Sequence, residues 1–141
     1  MARVPRKVPC LWTYWELGLD LGSGHSIERR RLFSDIVQAL GWPSGSLVFW
    51  PMSQADERGL TLRDDCFWEG VRLVQPHSIV CFGEQAFQAL FPDRPCRYGW
   101  FDLKECSCLF IPGPADMLPD NRQAKQIVWQ ALRELKPLTT G

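Results

Sequence analysis

The chain has 141 residues, 45% of them apolar, with 16 Lys plus Arg balanced by 16 Asp plus Glu. That length and apolar content suit one domain with a single core and exclude wholesale disorder. The charge balance supplies no global attraction to phosphate backbones or anionic lipid, so nucleic acid would have to be met by a local patch.

Residues 1–9 hold two prolines and three cations (Arg3, Arg6, Lys7) without periodicity, and read as a flexible N-terminal arm. No uninterrupted apolar stretch with a cleavage site follows them. No run reaches the roughly 20 apolar residues that a membrane helix needs. The expectation is a cytoplasmic protein with no membrane association. Residues 10–18, dense in aromatics, fit a first strand. Gly18, Gly22 and Gly24 mark a loop. Ser26 then has the chemistry of an N-cap, and Glu28 in the first turn suits the helix dipole. Ile27, Leu32, Phe33, Ile36, Val37 and Leu40 form one helical face, closed by Gly41 and Pro43.

Residues 46–50 (Ser-Leu-Val-Phe-Trp) read as a short buried strand and residues 53–59 as a polar loop. Thr61 and Asp64 have capping-box spacing. The helix they introduce carries Leu62, Cys66, Gly70 and Leu73, flanked by Phe67, Val71 and Val74, and Gln75-Pro76 ends it. Residues 78–82 (Ser-Ile-Val-Cys-Phe) form the clearest strand, continuously apolar as burial on both faces requires. Gly83 turns it into a helix with Ala86, Phe87 and Leu90. Residues 97–105 read as an irregular or edge segment. Residues 106–111 are the last strand, stopped by Pro112-Gly113-Pro114, and a final helix presents Ala124, Ile127, Val128, Ala131, Leu132 and Leu135. The organisation is an arm (1–9), one α/β domain (10–136) and a tail (137–141). Strand and helix alternate four times, which predicts a three-layer α/β/α sandwich on a sheet of about four mainly parallel strands.

In such sheets ligands bind where turns leave the carboxyl ends of strands. The candidate cleft therefore collects Glu16, Gly18, Ser53, Gly83, Gln85, Gly113 and Pro114. Glu16 is the one candidate for a base that activates water; its plainer reading is a solvated strand-end carboxylate. Gly83 would let a helix N-terminus approach an anion, but Glu84 beside it repels one, so a tight turn is the expectation. His25 lies in a loop and His77 at the amino end of a strand; both read as surface residues. The six cysteines make no C-x-x-C pair, and Cys106 and Cys108 are too close for a zinc knuckle. Neither a metal nor another cofactor is expected. Arg94, Arg97, Lys104, Arg122 and Lys125 form a phosphate patch if they gather, and are scattered solvated cations otherwise. Trp12 and Trp15 stand at odd spacing, so one strand sends them to opposite faces. They fit two-sided burial, or, if exposed, a partner interface with Arg3 and Arg6.

Three stretches together resemble the uracil-DNA glycosylase superfamily. They are residues 32–41 (Leu-Phe-Ser-Asp-Ile-Val-Gln-Ala-Leu-Gly) with 47–50, residues 66–90 around Ser-Ile-Val-Cys-Phe-Gly-Glu-Gln, and residues 111–118 (Ile-Pro-Gly-Pro-Ala-Asp-Met-Leu) with Ala124, Lys125 and Trp129. The resemblance implies that family's fold and a pocket shaped for a flipped base. It also places Gly113 where the family carries the histidine that stabilises charge on the departing base. Glu16-Leu-Gly18 stands for the family's first motif, and of the cysteines only Cys66 falls near an iron–sulfur ligand position. The closing segment, Pro114-Ala-Asp-Met-Leu with Asn121, Ala124 and Trp129, is also similar to the psi subunits of bacterial DNA polymerase III. That likeness implies a non-catalytic interaction subunit in replication or repair. Its partners would be a clamp loader or a subunit linked to single-strand-binding protein. Weak nucleic-acid binding, a divergent base-excising glycosylase and a nucleotide- or base-binding module are the alternatives.

Overall fold

The apolar runs pair into one sheet because each buries backbone that only a neighbouring strand can satisfy. The computed structural model describes residues 10–21, 26–42, 45–103 and 106–135. Its strands are β1 (Cys10–Tyr14), β2 (Leu47–Phe49), β3 (Ser53–Asp56), β4 (Gly59–Leu62), β5 (Ser78–Phe82), β6 (Gly99–Asp102) and β7 (Ser107–Ile111). Its helices are α1 (Leu17–Asp20), α2 (Ile27–Leu40), α3 (Asp64–Val74), α4 (Glu84–Leu90), α5 (Pro114–Met117) and α6 (Arg122–Glu134). The main sheet has the order β2-β1-β5-β7-β6. Four strands run parallel, and β6 closes the edge antiparallel to β7. The molecule is thus α/β with a mixed sheet of five mostly parallel strands.

Period-two alternation gives the sheet two apolar faces. Trp12, Val80, Leu109 and Ile111 share one core with Phe33 of α2 and with Val128 and Leu132 of α6. Leu11, Ile79, Cys108 and Phe110 share the other with Phe67 and Val71 of α3 and Phe87 of α4. Helices therefore cover both faces, an arrangement compatible with a three-layer α/β/α fold. Each large side chain so buried contributes about 1.5–3 kcal/mol. Helix ends follow their chemistry. The Ser26 hydroxyl accepts from the Arg29 amide at 3.3 Å, and the Asn121 carboxamide accepts from the Ala124 amide at 3.1 Å. Gly41 ends α2 at φ +64°, where glycine is the least strained residue.

Four expectations need correction. The first strand ends at Tyr14, and α1 begins at Leu17 within the stretch read as strand. Residues 53–62 form a hairpin, with Ser53 opposite Leu62 and Asp56 opposite Gly59. The Asp56 carboxylate accepts from the Arg58 amide and the Thr61 hydroxyl, which uses Thr61 as a turn partner and not as a helix cap. The main sheet has five strands where about four were expected: the edge segment read over residues 97–105 contains the edge strand β6, whose Phe101 packs against Phe87 and Phe91. The buried face of α3 is Phe67, Gly70, Val71 and Val74, while Cys66 and Leu73 face outward. Gly70 sets that rotation: a Cβ there would lie 2.1 Å from the Trp50 indole, so the helix rests its bare backbone on that ring. Among the described residues, no helix is long and apolar enough to cross a membrane.

Candidate functional site at the strand ends

From β1 the chain passes to β2 on one side and later to β5 on the other, so the order reverses between β1 and β5. Side chains and loops diverge at the carboxyl ends of such a pair and leave a crevice. A cleft of about 300 Å³ opens there. Trp15 and Glu16 enter from the end of β1. Gly83, Glu84 and Gln85 enter from the β5–α4 turn, with Gln88 one turn on, and Gly113 to Asp116 from the β7–α5 turn.

The floor is backbone on backbone. The Gly83 amide donates to the Ile111 carbonyl at 2.8 Å. A Cβ on Gly113 would lie 2.7 Å from the Gly83 Cα and 2.9 Å from the Phe82 carbonyl oxygen. Gly113 itself is extended (φ −98°), a conformation open to any residue. Glycine is required here by the close approach alone. Gly83 is needed twice, for that approach and for its φ of +101°. The Asp116 carboxylate accepts from the Gly113 amide at 2.9 Å and so fixes the first turn of α5.

Of the seven cleft residues read from the sequence, Glu16, Gly83, Gln85, Gly113 and Pro114 line the cleft. Ser53 and Gly18 do not. The Ser53 hydroxyl donates to the Trp15 carbonyl at 2.6 Å, and a Cβ on Gly18 would meet Ser53 at 2.5 Å. The two brace the β1 loop from outside the cleft. Sequence reasoning missed Trp15, Gln88 and Asp116 as lining, and placed Glu84 only as the acid beside Gly83. The signals were present: Asp116 has capping spacing from Gly113, and Glu84 and Gln88 stand four apart, bonded at 3.2 Å.

Electrostatically the cleft is acidic. Glu16, Glu84 and Asp116 line it, and among the described residues no Lys, Arg or His does. The polar neutral groups are the Gln85 and Gln88 carboxamides. Such a lining attracts cations, and the side-chain donors it offers are neutral, so among the described residues no cation lines it to offset developing negative charge. Among the described residues, no three His, Cys, Asp or Glu side chains converge as metal ligands. His77 is exposed, ahead of β5 and so at the opposite end of the sheet, and His25 lies outside the described residues.

Among the described residues, the basic candidates do not assemble into one patch. Arg94 stacks 4.8 Å above the Phe101 ring on the α4 face. Lys125 pairs with Asp120 at 3.0 Å on α6, across the sheet, with Arg122 on the same helix. Arg97 is exposed before β6, and Lys104 lies outside the described residues. Of the partner candidates, the two tryptophans are described. Trp12 is fully buried, its indole N–H donating to Cys10 Sγ at 3.0 Å and its ring packed on Trp42, Phe49 and Phe82. Trp15 is half-buried in the cleft wall, and Arg3 and Arg6 lie outside the described residues.

One further group escaped the sequence reading. Asp20 has only 4% of its side chain exposed and is ringed by donors. Arg29 donates to both carboxylate oxygens at 2.9 Å, the Ser26 amide donates at 3.1 Å, and the Tyr14 hydroxyl donates as well. Burial opposes the charged form of Asp20. The hydrogen bonds from Arg29, Tyr14 and Ser26 outweigh it and hold the carboxyl below its usual 3.8. Burial, reinforced by the bond to Asp20, pushes the Tyr14 phenol upward. No family model and no curated protein sequence matches the chain.

Proposed function

We propose that the chain is a non-catalytic protein on a uracil-DNA glycosylase-like α/β scaffold, acting in the cytoplasm as a psi-like interaction subunit in DNA replication or repair. The observation that carries the non-catalytic part is the cleft floor. With Gly83 and Gly113 in backbone contact, position 113 has no volume for the imidazole that the resemblance expects there. The acidic lining supports the same reading, since a flipped base would bring phosphates up to Glu16, Glu84 and Asp116. The replication or repair context rests on the resemblance of residues 111–129.

The test is base excision from uracil-containing single- and double-stranded DNA, paired with capture of partners from the native host. No excision and recovery of a clamp-loader or single-strand-binding-protein-linked subunit are expected. Excision that disappears in Glu16→Ala, or capture of no replication or repair protein, would defeat the proposal. One observation favours a second reading, divergent base excision. The cleft is open, and Glu16 shares it with two carboxamides, one of which could hold a base while the acid activates water. The Glu16→Ala comparison separates the two.

A further inference from the structure

A second cavity, larger than the strand-end cleft, lies between the end of β1, the end of β2, α1 and α2. Its volume is about 580 Å³, inside the ~300–1,000 Å³ range typical of small-molecule sites. Tyr14, Phe33 and Phe49 line it. These rings are fixed on one another: Tyr14 stacks on Phe33 with centroids 4.5 Å apart, and Phe49 meets both edge-on. Leu17, Leu21 and Val37 add apolar lining, and Leu21 stands 60% exposed with no apolar cover of its own. The polar groups fall mainly along α2. Arg30, Ser34 and Gln38 recur every fourth residue and so share one stripe.

Charge then selects the occupant. Two ionised groups of opposite sign line the cavity, Asp20 and Arg30. The Asp20 carboxylate is already neutralised by Arg29, which lies against it in a two-point contact at 2.9 Å. Arg30 is exposed at the cavity edge. Among the described lining residues, Arg30 is thus the cation not engaged by Asp20, and it stands beside an aromatic box. The buried Asp20 network ties Tyr14, α1 and the start of α2 together, so the box is preorganised before anything enters.

We propose that this cavity binds a small amphipathic acid, an apolar body of one or two rings or a branched chain carrying a single anionic group that pairs with Arg30. The experiment uses the full chain and two fluorescent probes with the same apolar body, a naphthalene joined to a phenyl ring through an amine. One is 8-anilinonaphthalene-1-sulfonate, which carries the anion, and the other is N-phenyl-1-naphthylamine, which does not. Saturable binding of one probe per chain is expected for both. Arg30→Gln weakens the sulfonate about three- to fivefold, as an exposed ion pair would, and leaves the neutral probe unchanged. Val37→Trp fills the cavity and abolishes both. Ser34→Phe, at an exposed position outside the core, obstructs the mouth without threatening the fold, and weakens both at an unchanged urea midpoint. Amide shifts on titration fall at Leu17, Leu21, Phe33 and Val37. Absence of saturable binding, equal effects of Arg30→Gln on both probes, or shifts confined to Gly83, Glu84 and Gly113 would each overturn the proposal. So would binding lost as protein concentration rises while the mass doubles, which would seat a second copy of the chain in the cavity.

Discussion

Substituting Gly113 by alanine tests the geometry on which the functional reading stands. The added methyl group meets the Gly83 Cα at 2.7 Å, the Phe82 carbonyl oxygen at 2.9 Å and the Gly83 amide nitrogen at 3.0 Å. All three are backbone atoms, so no rotamer change relieves the clash; the carboxyl ends of β5 and β7 must separate. Overpacking of this kind costs about 1–3 kcal/mol. Because Gly113 is already extended, alanine recovers about 0.4–1 kcal/mol by restricting the unfolded chain. The net expectation is a loss of about 1–2 kcal/mol, and for a domain of this size a fall in Tm of about 3–8 °C. Urea unfolding followed by tryptophan fluorescence reads this directly, with the m-value checked for constancy. Gly113→His should lose more stability and gain no base excision. A Gly113→Ala variant as stable as the parent would refute the close approach, and with it the claim that no side chain fits at this position.

Thr13 is fully buried, and its hydroxyl has no hydrogen-bond partner. Thr13→Val keeps the shape and removes the orphaned group, so a gain of about 1 kcal/mol in unfolding free energy is expected, read as a higher urea midpoint at constant m. Asp20 has a folded pKa below its unfolded value of 3.8, so its stabilisation is complete above that value and disappears as pH falls through the lower, folded one. Urea midpoints measured from pH 6 to pH 2.5 should fall more steeply for the parent than for Asp20→Asn, which starts lower. Among the cysteines, Cys66 and Cys96 are exposed, whereas Cys10, Cys81 and Cys108 are buried. Burial pushes the Cys10 thiol up to about 11, and those of Cys81 and Cys108 higher still. Titration with a chromogenic disulfide should modify Cys66 and Cys96 quickly and the three buried thiols only on unfolding; rapid loss of all six would contradict this core.

The parallel strands were legible as apolar runs, most sharply where a turn residue closes them: residues 78–82, stopped by Gly83, coincide with β5 to the residue, whereas β1 runs into Trp15 and Leu17 and its end was placed too late. The α2 boundaries were legible from Ser26 and Gly41 for the same local reason. The β3–β4 hairpin was not, because β3 is polar and exposed beyond Ser53, and the alternation in β4 is only Leu60-Thr61-Leu62, too short to mark a strand. The outward turn of Leu73 depends on Gly70 resting on Trp50, a contact twenty residues distant that no helical period encodes. At the cleft, the sequence pointed to the right turns, since strand order alone locates the crevice. It gave no warning that Ser53 and Gly18 would be spent on each other. Nor could it reveal that Gly113 is glycine because of Gly83, a constraint that exists only once β5 and β7 lie side by side. The cavity against α2 was invisible for a related reason: its rings come from three elements, β1, β2 and α2, that meet only in the folded chain.

The reversed edge strand bears on how the chain assembles. Asp102 faces Ser107 after a separation of only five positions, whereas Cys10 must find Ser78 across 68. Closing the short ribbon costs little entropy, and the long pairing is the slow event. β7 can therefore reach the growing sheet with its outer neighbour already attached, so that the last central strand docks as a finished border instead of leaving a raw margin open to other chains.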